Sequence, residues 1–60
     1  GAPGGYNYEE LGELHLALGE TDAAGPWFAK AHALLSEDAW MVANESARLA
    51  RLAARGGLDG

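Results

Sequence analysis

Two histidines, nine carboxylates and four cationic side chains make up nearly all the ionic chemistry of this 60-residue chain, which has no cysteine. His15 and His32 are the side chains suited to moving a proton near neutral pH or to ligating a metal through nitrogen. If the segments that carry them form antiparallel helices joined near Thr21, His15 lies beside the turn and His32 at the far end, near Gly4. Eleven residues of helix at ~1.5 Å each then separate the rings by roughly 16 Å, too far for one ion. An inter-subunit site at His32 is the weaker alternative, and His15 reads as a packing residue with a hydrogen-bonded ring. Glu9 and Glu10 are adjacent, and adjacent positions point in different directions around a helix, so they do not form a proton-sharing pair. No Ser/His/Asp set, phosphate-binding glycine loop or Cys/His metal spacing is present. The expectation is a protein that is not an enzyme and needs no cofactor or metal.

Composition narrows the class further. A chain of this length is one small domain, and such domains bury only about 60 % of the surface that their unfolded chains expose. Disulfides are excluded, so support from a partner chain is expected. Nine Asp and Glu against four Lys and Arg leave a net charge of −5, which disfavours nucleic acid as a ligand. No apolar run is long enough to cross a membrane, and no charged-then-apolar leader opens the chain, so a cytoplasmic protein is expected. Three arginines against one lysine, with 13 alanines, point to a GC-rich bacterial genome.

The elements that must position these side chains are helical. Thr21 and Val42 are the only β-branched residues, while Ala, Leu, Glu and Arg dominate, so an all-α fold is expected. Gly-Ala-Pro-Gly-Gly at 1–5 reads as a loose arm or expression remnant, and 56–60 as a flexible tail. A first helix is expected over Tyr8–Leu18, capped by Asn7 with Glu10 reaching back, stapled by Tyr6 and Leu11, and ended by Gly19. A second is expected over Ala23–Leu35, capped by Thr21 or Asp22, with Trp27, Phe28, Ala31, Leu34 and Leu35 on one face. Pro26 leaves its start open, because a proline is tolerated best at the first helical position. A third, continuous helix is expected over Ala39–Arg55 behind Asp38 as cap. Its apolar stripe is Val42, Leu49 and Ala53, its C-terminal half carries Arg48, Arg51 and Arg55, and Gly56 closes it.

Small residues set how closely the first two helices approach. With Gly12 facing Ala24, facing positions sum to 36, and Tyr8 meets Phe28. Tyr8, Leu11-Gly12, His15, Gly19, Ala24, Phe28 and Ala31 follow the order of aromatic, Leu-Gly, aromatic, then Ala, aromatic and Ala, within a unit of about 34 residues. In this the segment 5–38 resembles a tetratricopeptide repeat. His15 in place of a tyrosine, Ser36 in place of a proline, and Gly25-Pro26 near the start of the second helix depart from that pattern. The resemblance implies an antiparallel helical hairpin over 6–38, with residues 39–55 as a capping helix or the first helix of a following repeat. It also implies a non-catalytic scaffold that binds peptides or proteins in a groove lined by the first helix of each unit. A generic three-helix bundle is the competing fold.

On that reading the groove face of the first helix carries Tyr6, Glu9, Glu13, Leu16, Ala17 and Glu20. One repeat further on, Tyr6 is matched with Trp40, Glu9 with Ala43, Glu13 with Ala47 and Ala17 with Arg51. Tyr6, Glu9, Glu13, Trp40 and Arg51 are therefore the candidate partner-binding residues, for a basic or amphipathic peptide or helix. The same acids equally read as a solvated face, and Trp40 as a packing residue. Residues 9–38 carry a charge of −6 and residues 39–55 a charge of +2. Trp27, Arg48 and Arg55 are thus candidates for self-association, the arginines meeting acids of a second subunit in a homo-oligomer. A structural dimerisation element without a ligand groove is the alternative function.

Overall fold

The computed structural model describes residues 4–58, and these form four α-helices: α1 (Gly5–Ala17), α2 (Thr21–Leu35), α3 (Ala39–Asn44) and α4 (Ser46–Arg55). No strand occurs among the described residues, and the chain is all-α as its composition implies. Residues 1–3 of the expected N-terminal arm and 59–60 of the expected tail lie outside the described residues.

α1 starts earlier than the sequence suggests. Its N-cap is Gly4, whose carbonyl accepts from the Asn7 amide at 3.0 Å, so Asn7 sits inside the first turn rather than capping it. Packing against α2 accounts for the difference. Gly5 is buried, and a Cβ there would overlap the Leu35 side chain and stand 2.9 Å from the Ala31 carbonyl oxygen. The last turn of α2 thus supports a helical start that glycine's own propensity does not favour. The other end of α1 closes as expected. Gly19 has a φ of +79°, the Gly19 amide donates to the Leu16 carbonyl and the Glu20 amide to the His15 carbonyl at 2.8 Å. Those two bonds satisfy carbonyls that the helix end leaves open, and φ > 0 is the conformation that glycine adopts at least cost.

α2 begins at Thr21, behind Glu20, and keeps Pro26 in its interior. Neither Thr21 nor Asp22 is the cap, and the start does not slip to the proline. Pro26 has no N–H for the Asp22 carbonyl. The residue before a proline is pushed out of the helical region chiefly through its Cβ, and Gly25 has none. The helix therefore runs through.

Asp38 caps α3 as expected, its Oδ1 accepting from the Trp40 amide at 2.9 Å and the Met41 amide at 3.4 Å. The expected continuous third helix is, however, two helices. The backbone at Glu45 leaves helical geometry (φ −130°, ψ 39°), and the Asn44 side-chain amide donates back to the Trp40 carbonyl at 3.0 Å. Asn and Ser offer the backbone side-chain bonds that compete with helix, and Asn44-Glu45-Ser46 concentrates them at the break. The phases of α3 and α4 are consequently independent. The Val42/Leu49/Ala53 stripe is split: Met41 is fully buried and Val42 is exposed, while Leu49, Leu52 and Ala53 are buried.

The core is centred on α2, which packs against α1 on one flank and α4 on the other. It consists of Ala24, Phe28, Ala31, Leu35, Met41, Leu49 and Leu52, with Tyr8 and Leu16 of α1 packed against it. Leu34, expected on this face, is exposed. α1 runs opposite to α2, Gly5 facing Leu35 and Gly12 facing Phe28. The expected register is shifted there, since Gly12 receives the Phe28 ring rather than Ala24. Tyr8, expected to meet Phe28, stacks on Trp27 instead, with ring centroids 5.8 Å apart. Residues 56–58, read from sequence as the beginning of a flexible tail, form a turn against α2. A Cβ on Gly56 would stand 2.8 Å from the Ala29 amide nitrogen, and Gly57, not Gly56, takes the positive φ of the closing turn. The Cα extents of 32 × 30 × 14 Å describe a slab whose thin dimension matches two packed layers of helix.

Candidate interaction surface

The acids and arginines singled out in the sequence meet within the chain. Arg48 forms a two-pronged ion pair with Glu9, its Nε donating to Oε2 at 3.1 Å and its Nη2 to Oε1. It also lies 3.8 Å from Glu45, and its guanidinium carbon stands 5.2 Å from the centre of the Tyr6 ring. The hydrogen bond to Glu9, above all, holds Arg48 charged beyond its ordinary range. Arg55 repeats the arrangement about two turns further along α4. It pairs with Glu13, and its guanidinium carbon stands 5.4 Å from the Phe28 ring centre. Two arginines of α4 thereby reach past the core to two acids of α1. The acidic wall expected of Glu9 and Glu13 is neutralised from inside, and the arginines expected to meet a second subunit meet their own.

Tyr6, expected beside Trp40, instead carries Arg48 on its ring and donates from its hydroxyl to Met41 Sδ at 3.4 Å. Trp40 projects from α3 with 60 % of its surface exposed. Arg51 is exposed on α4 and has no ion-pair partner among the described residues. Trp27 is half-buried. It stacks on Tyr8 and also on His15, whose ring is 6.5 Å away and inclined by 4°, and the Lys30 ammonium lies 4.7 Å from its centre. His15 Nδ1 is 2.7 Å from Glu20 Oε1, so this histidine is hydrogen-bonded as well as stacked. His32 is half-buried on α2. Among the described residues no group of three or more His, Asp or Glu is placed to hold a metal ion, and no helix is long and apolar enough to cross a membrane.

A concavity lies on a different flank of α1 from Glu9 and Glu13. It is an open depression of about 570 Å³ lined by Asn7, Tyr8, Glu10, Leu11, Leu14 and Trp27. Leu14 is 55 % exposed at its wall, and Leu18, one turn further along α1, is 65 % exposed. Sequence reasoning missed this surface, although the signal was present. Leu11, Leu14 and Leu18 recur at spacings of three and four, which makes a second apolar stripe beside the one that faces α2. An apolar floor with a single acid at its edge suits an aliphatic or aromatic side chain next to a cation.

In comparisons with known proteins, no family model matches this chain, and no curated protein or solved structure shows significant similarity to it.

Proposed function

We propose that this chain is a non-catalytic protein-interaction module of tetratricopeptide type, which receives an amphipathic helix or peptide with basic character. The observation that carries the reading is the depression beside Leu11, Leu14 and Trp27. It is apolar surface that the chain leaves open although its own core is already complete. Small modules that stack or bind through helix faces carry such surplus surface, whereas isolated domains seldom concentrate it on one flank. The hairpin supports the assignment of type: Gly12 accommodates Phe28, Gly19 closes α1, and Ala24 and Ala31 are buried. His15 is hydrogen-bonded to Glu20 and stacked on Trp27, in a packing contact beside the depression. Within this reading the binding surface is the depression, with Glu10 as its acidic edge. Trp40 is separately exposed on α3, while Glu9 and Glu13 serve the fold.

The test uses the Trp40→Phe variant, whose tryptophan fluorescence comes from Trp27 alone. A synthetic leucine- and arginine-rich amphipathic helical peptide is titrated against it. Saturable change in Trp27 emission, abolished by Leu14→Asp, is the expected result. An emission that does not respond at peptide concentrations of about 1 mM, where even weak complexes form, overturns the reading.

A further inference from the structure

We infer that copies of this chain associate head to tail, the outward face of α4 in one copy seating on the α1–α2 depression of the next. The inference rests on the proposed interaction role and names the partner as a second copy of the chain.

The two surfaces are complementary in shape. α4 buries Leu49, Leu52 and Ala53 against the core and turns Ala47, Ala50, Ala54 and Arg51 outward. Three alanines with one long cation form a flat bed that another helix approaches closely. The α1–α2 depression is edged by the bulky Leu11, Leu14, Tyr8 and Trp27. Large side chains on a bed of small ones is the arrangement by which helix surfaces interlock.

Charge gives the pair its direction. Within the chain, α4 is fastened to α1 by Arg48 to Glu9 and Arg55 to Glu13, which leaves Arg51 as the arginine of α4 without an acid among the described residues. On α1, Glu10 edges the depression and likewise has no ion-pair partner among the described residues. An Arg51–Glu10 contact between copies would repeat, across the interface, the pairing that already joins α4 to α1. The two surfaces lie on different elements of a slab with α2 in its middle, so using one leaves the other open. In this head-to-tail arrangement the contact is heterologous, so each pair keeps one free surface at either end and adds copies as an open chain or a ring.

The experiment is sedimentation of the full chain at low salt, from about 10 µM to about 1 mM, a range that spans weak to moderate association. The wild-type chain is expected to gain mass with concentration without levelling at the dimer. Glu10→Arg and Arg51→Glu, both at exposed positions and checked for helicity by circular dichroism, are each expected to weaken association about tenfold. An equimolar mixture of the two variants regains it, because each supplies the charge that the other now lacks. A wild-type chain that stays monomeric, a mass that levels at a closed dimer, or single variants that associate like the wild type overturns the inference. A monomer that still binds the arginine-rich peptide at Trp27 overturns the inference alone and leaves the interaction role standing.

Discussion

At the scale of single residues, the side chains that matter most are the smallest. Gly12 lies against the Phe28 ring, where three ring carbons stand 2.8–2.9 Å from the place a Cβ would occupy. Replacing it with alanine gains about 1 kcal/mol of helix propensity and costs about 1–3 kcal/mol of overpacking, so Gly12→Ala is expected to lower the stability measured by denaturant unfolding. Gly56→Ala is expected to cost more, because its Cβ would meet the Ala29 backbone rather than a ring that can tilt. Pro26 offers the opposite outcome. Pro26→Ala restores an N–H for the Asp22 carbonyl, and it is expected to raise stability by about 1–2 kcal/mol once the proline's restriction of the unfolded chain is subtracted. Equal or lower stability in that variant would show that the proline causes no strain in α2. In the sequence Gly12 was legible as a small-residue contact, and Gly56 and Pro26 only as marks of a helix end and a helix start. Their partners were not, since Gly12 faces Phe28 rather than Ala24, and register depends on how rings of different size nest.

At the scale of elements, α4 is held by apolar burial on α2 and by two arginine–acid pairs to α1. Exposed pairs contribute about 0.2–1 kcal/mol, and the Arg48–Glu9 pair belongs near the upper end because it is two-pronged and stacked on Tyr6. Arg48→Ala is therefore expected to lose about 1 kcal/mol and Arg51→Ala less than half of that, measured by thermal unfolding. Raising the salt to about 1 M shrinks the Debye length to about 3 Å and is expected to narrow the gap between the two variants. The direction with pH follows from the raised folded-state pKa of Arg48, which Glu9 causes. Arg48 binds its proton more tightly folded than unfolded, so its stabilisation is complete below the ordinary guanidinium range and is lost only as pH climbs through the raised value. Across neutral pH, Arg48's own titration is expected to leave the pair intact. The break at Glu45 also belongs to this scale. Asn44 and Ser46 were visible as weak helix formers, but the break itself, with Met41 buried and Val42 exposed before it, is seen only in the folded chain.

At the scale of the whole molecule, a slab 14 Å thick leaves much of its helix surface to solvent or to neighbours. If copies stack through α4 and the depression, association stabilises the folded state by mass action. The midpoint of thermal unfolding is then expected to rise by several degrees over a hundredfold increase in protein concentration, at about 4–8 °C per kcal/mol for a chain of this size. Arg51→Glu is expected to move that rise to about tenfold higher concentration while unfolding, when dilute, at the midpoint of the dilute wild type.

What the sequence by itself determined is local. Its residue types dictated an all-α chain, its glycine after Leu18 ended α1, and Asp38 capped the next helix, because propensities and caps act within a few residues. What only the tertiary structure decided is every pairing across elements: the start of α1 at Gly5, the passage of α2 through Pro26, the kink at Glu45, and the meeting of Glu9 and Glu13 with their own arginines. The charge asymmetry between hairpin and last helix was plain from the residues, yet it suggested a second subunit as strongly as an internal contact. Coulomb attraction has no memory of chain connectivity. Only the packing of α4 on α2, which carries Arg48 and Arg55 within reach of α1, settled which acids they meet.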